Sequence, residues 1–397
     1  MGRSSNPPRV ALVVETSTQF GRTLLSGIAQ YVRECGPWTV MFTERAVNDR
    51  SPSWLREWDG DGIITRVASP DIREIVASKR IPTIDLNEQT ADMGIPQIAN
   101  DHGSVGKLAA DHLLERRFIH FAFVGHAGHP WSDERATAFA ATVEAKGFSC
   151  AVYGHRELGM AALREGAWNT ELDQLTEWIK GLPKPVGIMA STDFRGLQVL
   201  TACRMAGLAV PIEAAVIGVG ADDIACALSD PPLSSVELGA WQMGYEAARL
   251  LDSMISGERV PQNYVRRMPP AGVVVRRSTD GVAIYDPSVA KAARYIRQHA
   301  LNGIRVPDVL SHVGVSRTTL QDRFNRELGE SIHDLIAKAK LDRVRELLVE
   351  TNLSIAEIAV RCGFRHVEYM TEMMRQRTGQ TPGSYRAQHS VLTTRRH

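Results

Sequence analysis

Residues Ser354 to Arg386, SIAEIAVRCGFRHVEYMTEMMRQRTGQTPGSYR, decide how the chain is read. Ser354 and Glu357 stand three residues apart, the spacing at which a serine hydroxyl and a glutamate carboxylate satisfy orphan amides at a helix start. Ile355, Ile358 and Ala359 then give that helix one apolar face. In Cys362-Gly363-Phe364 the glycine can take the left-handed backbone of a tight turn. The pattern predicts a second helix from Arg365 to Arg377. With Met370 and Met374 as its buried side, steps of about 100° put Arg365, Glu368, Thr371, Glu372 and Arg375 on the open side. A helix that carries hydrogen-bonding side chains at its N-terminus is what a DNA major groove accepts against its base edges. Gln380-Thr381-Pro382 closes the unit, since proline cannot continue the helix.

In these residues the segment resembles the second half of the AraC/XylS-type DNA-binding domain. That pattern has the same capped helix, Gly-Phe turn, recognition helix and closing residues, here Gly379, Thr381, Pro382, Tyr385 and Arg386. The family uses two such motifs in tandem, and Val306 to Phe324 supplies an earlier copy. Val309, Leu310 and Val313 form its inner face, Gly314 its turn, and Leu320, Phe324 and Leu328 the buried side of its second helix. Thr318, Gln321, Asp322 and Asn325 fall on the open side, and Arg317 stands in the first turn. Ile332 to Thr351 reads as one long helix joining the motifs, and Pro287 to Ala300, capped by Asp286, opens the domain. The expected DNA contacts are therefore Arg317, Thr318, Gln321 and Asp322 in the first motif and Arg365, His366, Glu368 and Thr371 in the second. One departure stands out: Met370 and Met374 occupy positions that are usually aromatic, and methionine fills the same space with more flexibility, so a softer core is expected.

Bulk properties bound the remainder. At 397 residues and 44% hydrophobic content, two or three domains are expected. From Asp286 onward there are 18 Lys and Arg against 12 Asp and Glu, or +6, and the preceding residues hold 28 against 33, or −5. A basic C-terminal block on an acidic body puts the polyanion partner at the C-terminus. Solvated surface charge would explain that split, but not both motifs. Cys35, Cys150, Cys203, Cys226 and Cys362 are scattered without metal spacing, which fits a reduced, cytoplasmic protein. The apolar run Val10 to Val14 is too short for a signal-peptide core or a membrane span, and no membrane association is expected.

Upstream, short β-branched runs alternate with amphipathic helices. The strands are Arg9 to Val14, Trp38 to Phe42, Gly62 to Thr65 and Thr83 to Leu86, with helices at Gly21 to Glu34 and Ile72 to Ser78. A second set has strands Ile119 to Val124, Cys150 to Tyr153, Gly187 to Ala190 and Ala215 to Gly218. Its helices are Val105 to Glu115, Glu134 to Lys146, Glu171 to Lys180 and Phe194 to Ala206. Two βα sets in succession predict an α/β domain of two lobes, with ligand bound outside the carboxyl ends of the strands. The expected divisions are a disordered tail at 1–8, an effector domain at 9–275, a linker at 276–285, a helical domain at 286–390 and a disordered tail at 391–397.

The first block resembles the LacI/GalR-type effector domain, related to periplasmic sugar-binding proteins. The likeness rests on Ile98-Ala99-Asn100-Asp101-His102-Gly103, Phe121 to Gly125, Trp131-Ser132-Asp133-Glu134-Arg135, Met189 to Asp193 and Ala215 to Gly218, in that order and spacing. With only about eight polar residues before the first strand, the DNA-binding head of LacI-type proteins is expected to be absent. An effector domain followed by an AraC-type domain is similar to the XylR-like regulators, which Glu15-Thr16-Ser17 and Phe20-Gly21-Arg22 also resemble. The resemblance implies a small polar effector, a monosaccharide such as xylose, gripped by Asp101, Arg135 and Asp193 with Arg22 and Thr192 beside them, and Phe20 or Trp131 as a wall. Asp101 can equally cap the helix after it, and Arg135 can pair with a neighbouring acid. Gly220 stands where the family has an aspartate, so either Asp222 substitutes from a shifted loop or the ligand differs.

Other chemistries lack their signatures. Gly218-x-Gly220 lacks the third glycine of a dinucleotide fingerprint, no phosphate-binding loop or nucleophile elbow occurs, and no cofactor is expected. His120, His126 and His129 lie close together without partners at ligand spacing, so no metal is expected. The chain reads as a ligand-responsive transcription activator, not an enzyme, working as a homodimer through its first lobe. The alternative is a sugar-binding protein or enzyme whose C-terminal helices serve assembly.

Overall fold

β-Branched runs too short for helices alternate with amphipathic stretches too long for strands, and each strand and helix named above for the first block takes its expected form. In a computed structural model, residues 6–46, 49–66, 70–87, 94–126, 128–154 and 167–389 are described. The expected tails at 1–8 and 391–397 lie outside the described residues except for 6–8. The chain divides into two units, Met1–Gly281 and Val282–His397.

The first unit opens with β1 (Arg9–Val13), α1 (Gln19–Cys35), β2 (Thr39–Phe42), β3 (Gly62–Thr65), α2 (Pro70–Lys79), β4 (Thr83–Asp85) and β5 (Gln97–Asn100). The crossover α3 (His102–Glu115) leads to β6 (His120–Val124), α4 (Pro130–Glu144), β7 (Cys150–Tyr153), α5 (Ala167–Gly181), β8 (Val186–Ala190) and α6 (Asp193–Met205). Then follow β9 (Ala214–Val219), α7 (Asp223–Leu228), β10 (Ser234–Glu237), α8 (Ala240–Ile255), β11 (Val265–Met268) and β12 (Gly272–Val274). Two six-stranded sheets result, ordered β11-β5-β4-β3-β1-β2 and β12-β10-β9-β8-β6-β7. Every strand pairing is parallel except that of β12 with β10. The chain passes between the sheets three times, so carboxyl ends of both sheets meet at one cleft.

β5, α7, β10, α8 and β11 are not among the elements expected from the sequence. β10 (SSVE) and β11 (VRRM) are four-residue strands with polar side chains, too short to show a period. The polar stretch at 276–285, expected as a linker, is largely built into the first unit. Ser278 and Thr279 are fully buried. Ser278 Oγ donates to the Val216 carbonyl at 2.6 Å, and Thr279 Oγ1 donates to Ser234 Oγ at 2.7 Å and lies 2.9 Å from His112 Nε2.

The second unit is helical: α9 (Pro287–His299), α10 (Val306–Val313), α11 (Arg317–Leu328), α12 (Ile332–Glu350), α13 (Ile355–Arg361), α14 (Val367–Thr378) and α15 (Pro382–His389). The Ser354/Glu357 capping box forms as the spacing requires, with Glu357 Oε2 accepting from Ser354 N at 2.7 Å. Leu341, Val344, Leu347 and Leu348 of α12 pack with Ile358, Phe364, Met370 and Met374 in one core, and both methionines are fully buried. Two expectations are corrected. The second recognition helix starts at Val367, with His366 at its N-cap position, so Arg365 precedes it. Pro382 also does more than end a segment: it opens α15, whose Arg386 donates to the Leu348 and Leu353 carbonyls at 3.2 and 2.6 Å.

Gly363 has φ +69°, and a Cβ there would collide with the Leu301 carbonyl oxygen. Gly363→Ala should therefore cost the second unit about 2 kcal/mol or more, read as a lowered urea midpoint of helical CD. An unchanged midpoint would show that the turn yields freely. Burial holds His112 below its ordinary 6.5, at about 4. The unfolded chain takes up this proton first as pH falls, so the stability contribution is complete above about 6.5 and is lost progressively down to about 4. His112→Gln should lose less of its urea midpoint between pH 7 and 4.5 than the wild type does; parallel losses would contradict the assignment.

Candidate functional site

The cleft is built from residues that follow strand ends. After β1, Glu15 is buried and ion-paired with Arg66, which follows β3. Thr18 Oγ1 donates to Glu15 Oε1 at 2.9 Å, and the Arg66 guanidinium lies 4.6 Å from the Phe20 ring centroid. After β5, Asp101 caps α3, accepting from Ser104 N at 2.9 Å and Ser104 Oγ at 2.6 Å. Across the cleft, Asp193 follows β8 and is almost fully buried. Its Oδ1 accepts from Ser235 Oγ at 2.5 Å and its Oδ2 from Asp222 N at 2.7 Å. Burial pushes the Asp193 carboxyl pKa up, and those two hydrogen bonds work in the opposite direction.

Arg135 reaches the cleft because α3 and α4 touch. A Cβ on Gly106 of α3 would collide with the Arg135 carbonyl oxygen. The guanidinium donates to the Ser191 carbonyl at 2.6 Å and to His102 Nδ1 at 3.2 Å, and lies 5.1 Å from the Trp131 ring centroid. Trp131 also packs against His126 and His129, with centroids 5.6 and 5.5 Å apart. His126 Nδ1 is hydrogen-bonded to Ser191 Oγ at 2.8 Å, and burial, aided by the Arg195 charge, holds this ring to about 4, so it is neutral near pH 7. The lobes meet through Gln19, whose Oε1 accepts from Asp223 N at 2.7 Å, and through Arg267 and Glu134 at 3.1 Å.

Of the expected ligand residues, Asp193 and Asp222 come together directly, and Arg135 joins them through the Ser191 loop. Phe20 lies on the opposite wall with Glu15 and Arg66. Thr192 and Asp222 also cap helices: Thr192 Oγ1 accepts from Arg195 N at 3.2 Å, and Asp222 Oδ1 from Ala225 N at 2.9 Å. Arg22 is exposed and donates to the Thr16 carbonyl at 2.7 Å. The glycine at 220 has a steric reason. Its φ is +126°, and its Cβ would lie 3.1 Å from Asp193 Oδ2, so an aspartate there would crowd a carboxylate already in place. Glu15, Arg66, His126 and Ser191 were not singled out as ligand residues, although each directly follows or lies next to the carboxyl end of a parallel strand, the position that could have flagged them.

The second unit presents two helix-turn-helix motifs, α10–α11 and α13–α14. Ser316 caps α11, and Arg317, Thr318 and Asp322 are exposed on it. Gln321 is half-buried and donates to Asn325 Oδ1 at 2.9 Å. Arg365, His366 and Glu368 are exposed and Thr371 is half-buried. Glu372 holds Arg375 in a two-pronged pair at 3.0 Å. Tyr369, 54% exposed, belongs to the same open side and was not anticipated.

The chain matches an XylR N-terminal domain family over residues 9–99, a periplasmic binding protein-like domain family over 110–279 and a helix-turn-helix domain family over 309–388. It is 34% identical over 388 residues to the xylose operon regulatory protein of Escherichia coli strain K12, covering 95% of this chain and 96% of that one. The corresponding protein of Haemophilus influenzae is 32% identical over 387 residues, at 95% and 98% coverage. A solved structure described as the xylose-binding transcription activator xylR superposes with a TM-score of 0.80 at 32% identity, covering 97% of this chain and 99% of that one. Sensor lobes and paired DNA-reading motifs on one chain, related over nearly their whole length to these regulators, make the chain a member of the XylR family of DNA-binding transcription regulators.

Proposed function

We propose that this regulator is an activator that binds a pentose, D-xylose by analogy with the named relatives, between its two lobes, and that it acts as a homodimer in the cytoplasm. The reading is carried by one observation. Six polar side chains at the cleft, Glu15, Asn100, His102, Arg135, Ser191 and Asp193, are each no more than 4% exposed. A core gains nothing from such density, whereas a polyhydroxylated ligand needs paired acceptors and donors with a flat wall. Asp193 and Arg135 serve as the principal grips, Trp131 and Phe20 as walls, and Asp101, Thr192, Asp222 and Arg22 as loop-shaping neighbours. The motifs read DNA through Arg317, Thr318, Gln321 and Asp322, and through Arg365, His366, Glu368 and Thr371. Paired motifs in each subunit suit half-sites on successive major-groove faces about 34 Å apart.

Xylose at a hundredfold excess over Kd should stabilise the first unit by about 2.7 kcal/mol, visible as a rise in Tm of several degrees. Arg135→Ala and Asp193→Asn should abolish the rise. A panel of pentoses and hexoses that leaves the wild-type Tm unmoved would sink the sugar assignment. Arg317→Ala and Arg365→Ala should each weaken operator binding by about 1–3 kcal/mol in a mobility-shift titration while keeping the xylose response. Wild-type affinity in both would remove these residues from the interface. Sedimentation equilibrium at the mass of one chain would exclude the dimer.

A further inference from the structure

Within the second unit a cleft of about 360 Å³ lies between the two helix-turn-helix motifs, with α12 as its floor. Arg317 from the first turn of α11 lines it on one side and Tyr369 of α14 on the other, so the cleft spans the gap between the two recognition helices. Arg305, His333 and Lys340 add to its lining, and among the described residues no acidic side chain contributes to it. Phe364 gives it an aromatic patch. Lys340 is already engaged: its Nζ donates to the Gly363 carbonyl at 2.9 Å and lies 5.3 Å from the Phe364 ring centroid. It therefore contributes charge from a fixed position. Arg305 and His333 are exposed and sit at the rim.

We propose that this cleft seats the sugar-phosphate backbone of the operator where it passes from one recognition helix to the other, with Arg305 and His333 on the phosphate and the Tyr369 ring against the deoxyribose. The proposal rests on the DNA-binding reading and adds an interaction that carries no base information. Three features favour a DNA backbone as occupant. The charged side chains of the lining, Arg305, Arg317 and Lys340, are all cations, which a polyanion satisfies. The cleft is lined by Arg317 of α11 and by Tyr369 and Met373 of α14, so a duplex that engages both helices passes over it. Its apolar patch beside the cations matches the alternation of sugar and phosphate. Backbone interactions of this kind fix register and supply affinity whatever the sequence.

The test uses the full-length protein and a fluorescein-labelled mixed-sequence duplex of about 30 base pairs, titrated between 50 and 200 mM salt. Each phosphate that the protein ceases to neutralise lowers the slope of log K against log salt by about 0.9. Arg305→Ala should reduce the slope by about that amount, and His333→Glu, which places a negative charge in the cleft, should weaken binding at least tenfold at 100 mM salt. Lys291→Ala, on α9 outside the cleft lining, should keep the wild-type slope. Both cleft positions are exposed, so the variants should melt as the wild type does. Wild-type slope and affinity in both cleft variants overturn the proposal, and so does an equal loss in Lys291→Ala, which would mean diffuse attraction. A cleft that serves a small amphipathic anion would give the first of these results. Failure of the wild type itself to bind the duplex in a salt-dependent way would instead count against the DNA-binding reading.

Discussion

A carboxylate almost entirely shielded from water governs the first unit. Removing an ion from water costs on the order of several kcal/mol unless donors replace the lost solvent. Asp193 meets that requirement through Ser235 Oγ and Asp222 N, while Gly218 and Gly220 leave the room its oxygens occupy. Its seat therefore knits together the ends of β8, β9 and β10. Ser234, one residue before Ser235, points to the other face of β10, where its hydroxyl donates to the Arg276 carbonyl at 2.8 Å and accepts from Thr279. A four-residue strand thus holds the buried carboxylate on one side and, on the other, the segment in which the first unit ends.

In the second unit the corresponding constraint is the sharing of α12. Its C-terminal half closes the core of the second motif, and its buried Ile332, Ile336 and Ala337 lie in the N-terminal half nearer the first. Neither motif is large enough to bury a core alone, so a common helix fixes their separation. Lys340 and Arg386 reinforce this by donating to backbone carbonyls at the turn and at the end of α12. Methionine in place of aromatics leaves this core closed to water, because Met370 and Met374 are fully buried.

Legibility in the sequence followed the range of the interaction. Ser354 and Glu357 satisfy one another within a single turn, and Gly314 and Gly363 adopt the left-handed backbone their positions demand, so both motifs could be read residue by residue. The βα alternation was equally plain, because periodicity is a local property. Glu15 with Arg66, Arg135 with the Ser191 carbonyl, and His112 with Thr279 lie 51, 56 and 167 residues apart, and no local pattern announces them. Asp101 shows the ambiguity this leaves: the sequence admitted it as ligand grip or helix cap, and in the fold its carboxylate caps α3.

The sequence alone determined the βα alternation through most of the sensor, the tandem motifs and the charge imbalance, since these follow from propensity, spacing and composition. Tertiary structure decided which buried polar groups meet in the cleft, why position 220 must be glycine, where the sensor ends, and how α12 unites the two motifs. These depend on strands and helices distant in the chain arriving at one place, and the free energy of such encounters is set by packing and desolvation, which no short stretch of residues encodes.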